Sequence, residues 1–160
     1  MRLVALAATT ALVASGCHLP SSTPCTNCPA VAGTYDVVIA PTAFDQANCG
    51  WVELAFGRQE EAMRFAQAGN TVSIPNIVDD TGAGIHGTLM EDLSVSFDAY
   101  SDQACDPNNT NDCLPITDQI DGKFSGAKGS WRFTGELTIT TTGSQNPCSA
   151  TTSFDGTEVQ

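Results

Sequence analysis

From Gly33 to Phe154 the apolar residues recur at every second position, in short runs broken by turn residues. That rhythm places apolar side chains on one face of a strand and leaves no helical face. The longest run is Trp131, Phe133, Leu137 and Ile139, with Arg132, Thr134, Glu136, Thr138 and Thr140 between them. Leu93, Val95, Phe97 and Ala99 alternate with Ser94, Ser96 and Asp98. Shorter runs are Tyr35–Val37–Ile39, Val52–Leu54–Phe56, Val72–Ile74 and Ile85–Gly87–Leu89, and Ile116, Ile120, Gly122 and Phe124 share a face with Asp118. Between Arg58 and Ala68, Ala62, Phe65 and Ala66 would line a helix, while Met63 and Phe65 alternate; the strand is the reading adopted. Ala68-Gly69-Asn70, Glu91-Asp92, Gly126 to Gly129 and Asn146-Pro147 carry turn chemistry. Pro41 is expected to end the first strand, and Pro75 to stop its strand or hold it at an edge. Runs joined this closely pair antiparallel with their neighbours. The expected fold is therefore all-β: an antiparallel meander of about eight strands, curled into a barrel or, alternatively, folded as a two-sheet β-sandwich.

Ahead of the strands lies a different kind of sequence. Arg2 is the only charge before Asp36, and the run from Leu3 to Ala14 is apolar. A basic start, an apolar stretch and small residues before a cut describe an export signal. The run falls short of the roughly 20 residues that a spanning helix needs. Ala14-Ser15-Gly16-Cys17 closes it with a cysteine after three small residues. The stretch resembles the signal of bacterial lipoproteins. The resemblance implies cleavage before Cys17, acylation of Cys17, and a chain held to the bilayer by acyl groups. His18, rather than Asp, follows the cysteine, which in such proteins implies the outer membrane, facing periplasm or cell surface. The expected divisions are a signal peptide at 1–16, lipidated Cys17 with a Pro/Ser/Thr tether through 32, and a single β domain at 33–160. Gly33-Thr34-Tyr35 at the head of the β region is similar to the Gly-x-Trp opening of lipocalins, with Tyr in place of Trp. This implies a lipocalin-like barrel and, as one function, a small apolar ligand carried in a cavity lined by Tyr35, Trp131 and Phe133.

Charge and cysteine narrow the function classes. The whole chain carries −12, and losing Arg2 with the signal makes the remainder one unit more negative. Such a surface repels phosphate backbones, so nucleic acid is not expected as a partner. Setting Cys17 aside leaves six cysteines, an even number that suits an oxidising compartment. The expected pairs are Cys25–Cys28, Cys105–Cys113 and Cys49–Cys148. Cys25-Thr-Asn-Cys28 lies between prolines and opens no βαβ unit, so it reads as a staple rather than a redox pair.

Few residues offer chemistry. His86 is the only histidine after His18. One imidazole among many serines defines no triad, and no zinc set remains once the cysteines are oxidised. Asp106, Asn108, Thr110 and Asp112 alternate between Cys105 and Cys113, as oxygen ligands do in calcium loops. The glycine and the final Glu of such a loop are absent, so a polar loop closed by a disulfide is the plainer reading. Asp118 is either a polar group inside a barrel cavity or, the plainer reading, the point where its strand leaves the core; Trp51 either rims a binding cavity or, more plainly, covers the sheet's far side. No cofactor is expected. The chain reads as a lipid-anchored, non-enzymatic binding module that contacts an envelope protein or a small ligand.

Overall fold

The alternating runs take up the backbone that their spacing predicts. A computed structural model describes residues 23–43, 55–56, 59–78, 82–106, 109–142 and 148–159. Among them lie eleven strands and no helix. They are β1 (Gly33–Ile39), β2 (Thr42–Ala43), β3 (Ala55–Phe56), β4 (Gln59–Ala68), β5 (Thr71–Val78), β6 (Gly84–Thr88), β7 (Ser94–Ser96), β8 (Tyr100–Asp106), β9 (Asn109–Ser125), β10 (Arg132–Thr141) and β11 (Ser149–Glu158). The stretch 59–68 is a strand, with Met63 and Phe65 buried. Val52, Leu54 and Trp51 lie outside the described residues.

The main sheet runs β6-β5-β4-β1-β11-β10-β9-β7, all antiparallel, with β8 paired to β9 beside this path. Neighbours in space are successive in the chain except where β2 and β3 intervene between β1 and β4 and β8 between β7 and β9, and the first long strand meets the last, Tyr35 facing Glu158 and Ile39 facing Phe154. The two ends of the path approach each other. Asp98 N donates to His86 O at 2.7 Å, and Gly87 bridges Phe97. The result is an up-and-down barrel, nearly closed, rather than two packed sheets. β2 and β3 form a separate two-stranded ribbon.

The barrel is filled rather than hollow. Tyr35, Phe65, Phe97, Phe124 and Phe133 are wholly buried. Phe133 sits among Phe65, Phe124 and Phe154, with ring centroids 4.8, 4.6 and 5.0 Å away. Tyr35 Oη donates to Val31 O at 2.8 Å, so its hydroxyl is satisfied inside. The residues expected to line a cavity, Tyr35, Trp131 and Phe133, are packed instead. Two inward glycines make room for these rings. Gly122 and Gly135 face each other across β9 and β10. A Cβ on Gly122 would run into the Phe133 ring, and one on Gly135 into Asp121 O and the backbone of Gly122. Gly135→Ala is therefore expected to destabilise the barrel by about 3 kcal/mol, the upper end for overpacking. Urea denaturation checks this, with Gly33→Ala, where a Cβ meets nothing closer than 3.4 Å and the backbone is not left-handed, as the comparison.

One end of the barrel is closed by the segment before β1. Trp131 Nε1 donates to Ala30 O at 3.0 Å, and Gln67 Nε2 to Pro29 O at 3.1 Å. Val31 N donates to Gln67 Oε1 at 2.8 Å, and Cys25 N to Leu89 O at 3.0 Å. Cys25 and Cys28 are disulfide-bonded, and Val31 is fully buried. The expectation of a tether with nothing to bury is corrected for Thr23 to Val31. Prolines and a disulfide remove conformational freedom, so a segment without periodicity can still dock.

Two further readings change. The polar stretch from Asp102 to Cys113, expected as a loop, is the hairpin of β8 and β9, with Cys105 opposite Cys113 in register. It lies beside the barrel path, and Asp102 and Gln103 at its start are exposed. The turn at Met90 to Ser94 is held by Asp92, whose carboxylate accepts from Ser94 N at 3.1 Å and Ser94 Oγ at 2.6 Å, and pairs with Lys123 at 3.3 Å. These bonds, led by the Ser94 hydroxyl, hold its carboxyl down to about 2. A lowered carboxyl contributes stability above its ordinary value near 4, and that stability is lost as pH falls toward 2. Asp92→Ala is expected to cost on the order of 1 kcal/mol at pH 7 and little at pH 2, since the carboxylate is largely solvent-screened. Urea midpoints at the two pH values read this.

Candidate functional site

At the opposite end of the barrel no described residue covers the strand ends, and β4 and β5 part there at Pro75. β4 and β5 pair only from Ala66–Ser73 to Ala68–Thr71. Proline has no N–H to continue the ladder, and the β5–β6 register shifts between Ile74 and Val78. Of the two expectations for Pro75, the edge holds: β5 continues to Val78 but parts from β4. The Asn76 carboxamide spans the gap, accepting from Arg64 N and donating to Ala62 O, each at 3.4 Å. Beyond this split the inward rows turn polar. Met63 and Phe65 give way to Glu61 and Gln59 on β4, and Ile120 and Phe124 to Asp118 on β9.

These residues line a cleft of about 340 Å³ with Ile39, Asn76, Ile77, Tyr100, Ser101, Asp102 and Leu137. Three carboxylates, Glu61, Asp102 and Asp118, face it, and no Lys, Arg or His is among the described residues lining it. Register brings the central pair together: Tyr100 lies directly opposite Asp118 across β8 and β9. The Tyr100 hydroxyl hydrogen-bonds the Asp118 carboxylate. The other oxygen, Oδ1, is buried with no partner. Asp118 is only 5% exposed, so it does not mark an exit of its strand from the core, as expected; it sits inside the mouth. Burial pushes its carboxyl up to about 6, the Asp102 charge adds to the rise, and the Tyr100 bond opposes it. Burial likewise pushes the Tyr100 hydroxyl far above the ordinary phenol range, helped by Asp118, Asp102 and Glu61. A buried charge left without a counter-ion is costly, and such groups concentrate at sites of function.

The remaining candidates fall elsewhere. His86 is exposed on the outer wall, in a shallow groove of about 290 Å³ that Ser96 and Asp98 also line. Ser96 Oγ accepts from Gln119 Nε2 at 3.1 Å, and no hydrogen bond joins it to His86, so no triad is assembled. Cys148 is buried and disulfide-bonded; Cys17 and Cys49 lie outside the described residues. So do Asn108 and the side chains of Cys105, Asp106, Thr110, Asp112 and Cys113. Among the described residues no three of His, Cys, Asp and Glu are grouped to hold a metal ion. No described helix is long and apolar enough to cross a membrane. No family model, no curated protein and no solved structure matches the chain.

Proposed function

We propose that this chain is a lipid-anchored protein of the bacterial envelope, a non-enzymatic binding module held by acylated Cys17 and working through its open barrel mouth. The observation that carries this reading is the placement of the segment before β1. Thr23 O accepts from Glu91 N at 3.0 Å at the closed end. The six Cα-to-Cα steps from Cys17 to Thr23 reach at most about 20 Å. An anchor at Cys17 therefore tethers the closed end near the bilayer and turns the acidic mouth away from it. That orientation also suits the charge, since an anionic lipid surface repels carboxylates. The same geometry favours a ligand held at the rim over one enclosed within the barrel, whose interior is filled by aromatic rings.

Expression in a bacterial host with a lipoprotein-processing pathway tests the anchor. Intact-mass analysis of the membrane fraction is expected to find a chain beginning at Cys17 with added acyl mass. Cys17→Ala is expected to remain uncleaved or to leave the membrane fraction. A wild-type chain recovered without acyl mass, or left in the cytosol, would overturn the reading.

A further inference from the structure

We propose that the barrel mouth binds an alkylammonium group, either a free aliphatic amine or a lysine side chain of another protein, with the Asp118 carboxylate as its counter-ion. This deepens the binding-module reading and rests on it. Asp118 is 5% exposed and its Oδ1 has no partner. It lines an open cleft, so the missing partner can arrive from outside. Glu61 and Asp102 add charge of the same sign around it, and no cationic side chain among the described residues lining the cleft answers them. An anion is repelled there, and a neutral ligand leaves the buried charge uncompensated.

A metal ion is the competing cation. It needs several ligands converging on one point, and the described acidic residues form no group of three that would do so. The same cleft is also lined by the aliphatic side chains of Ile39, Ile77 and Leu137. That arrangement suits a ligand whose charge is carried on methylenes: the ammonium pairs with carboxylate while the carbon chain covers the aliphatic residues.

Calorimetric titration of the purified mature chain at pH 7.5 and low salt tests the proposal. The probes are 1,4-diaminobutane, a lysine-rich peptide, uncharged 1,4-butanediol and calcium chloride. Saturable heat is expected with the diamine or the peptide and none with the diol. The stronger of the two amines identifies the source as free amine or protein lysine. Asp118→Asn is expected to weaken binding at least tenfold. The double variant Glu61→Gln/Asp102→Asn, at exposed positions, is expected to weaken it severalfold and serves if Asp118→Asn does not fold. Lowering the pH to 5 is expected to weaken binding as Asp118 takes up a proton. The groups facing Asp118 are Tyr100 and Asp102 from β8 and Glu61 from β4; β1 and β10 present Ile39 and Leu137. No heat with either amine, equal heat with the diol, saturation by calcium alone, or unchanged affinity in the Asp118 variant would overturn the proposal. Mass analysis of the titrated mixture keeps the two readings apart. Unaltered diamine supports a binding module, whereas diamine bound at Asp118 and then consumed would leave the site standing and sink the non-enzymatic reading.

Discussion

Phe133→Ala is expected to lower stability by about 3–5 kcal/mol, the usual cost of removing a large aromatic from a core. The position argues for the upper part of that range. The ring lies at the centre of the barrel, in contact with Phe65, Phe124 and Phe154 and near Phe97, 6.3 Å away. Its floor is the backbone of Gly122. Glycine has no side chain to swing into the void, and the hydrogen-bonded strands around it resist collapse. A domain with roughly 5–15 kcal/mol of total stability would lose a large share of it. The urea midpoint should fall sharply with an unchanged slope. A loss below about 1 kcal/mol would mean that the rings do not fill the interior as described.

Asp118→Leu is expected to act in the opposite direction, raising stability at pH 7 by on the order of 2 kcal/mol. The buried carboxylate has one oxygen without a partner, and replacing an uncompensated buried charge with an apolar side chain commonly stabilises. The pH dependence follows from the same cause. Its carboxyl is raised from 3.8 to about 6, so the folded state holds the proton more tightly than the unfolded chain does. The associated stability is fully present below pH 4 and is lost as pH rises through 6. Wild-type protein should therefore weaken from pH 4 to pH 7 by this contribution, and the Leu variant should not. Parallel urea series at the two pH values would show it. Stability given up at one residue for a charge at an open mouth is the pattern expected of a binding site.

Much of the barrel was legible as period-two alternation. Trp131, Phe133 and Ile139 are buried as their spacing requires, and Gly69, at φ +64°, makes the turn expected between β4 and β5. The site was not legible, for reasons of register. Tyr100 and Asp118 are 18 positions apart in sequence and meet only because β8 and β9 pair as a hairpin. The polar composition between them reads as a loop, since composition alone cannot separate a polar hairpin from irregular chain. Pro75 reads as a strand end or an edge, and the edge is what forms; local rules carry its missing N–H but not the Asn76 carboxamide that spans the gap. Asp118 itself stood out on an apolar face. Whether such a residue is leaving the core or entering a mouth depends on what closes over it, and that is set by strands far away in sequence. The docked segment before β1 shows the same limit: its contacts are backbone carbonyls and amides, which carry no sequence pattern.

The most direct test of the mouth is the titration of one carboxyl. Carbon-13 NMR of the Asp118 side-chain carboxyl, assigned through the Asp118→Asn variant, should show a midpoint near 6 in the ligand-free protein. A midpoint near 4, the ordinary value of a solvated aspartate, would mean that Asp118 is wet or already paired, and the account of an open, acidic mouth awaiting a cation would be wrong.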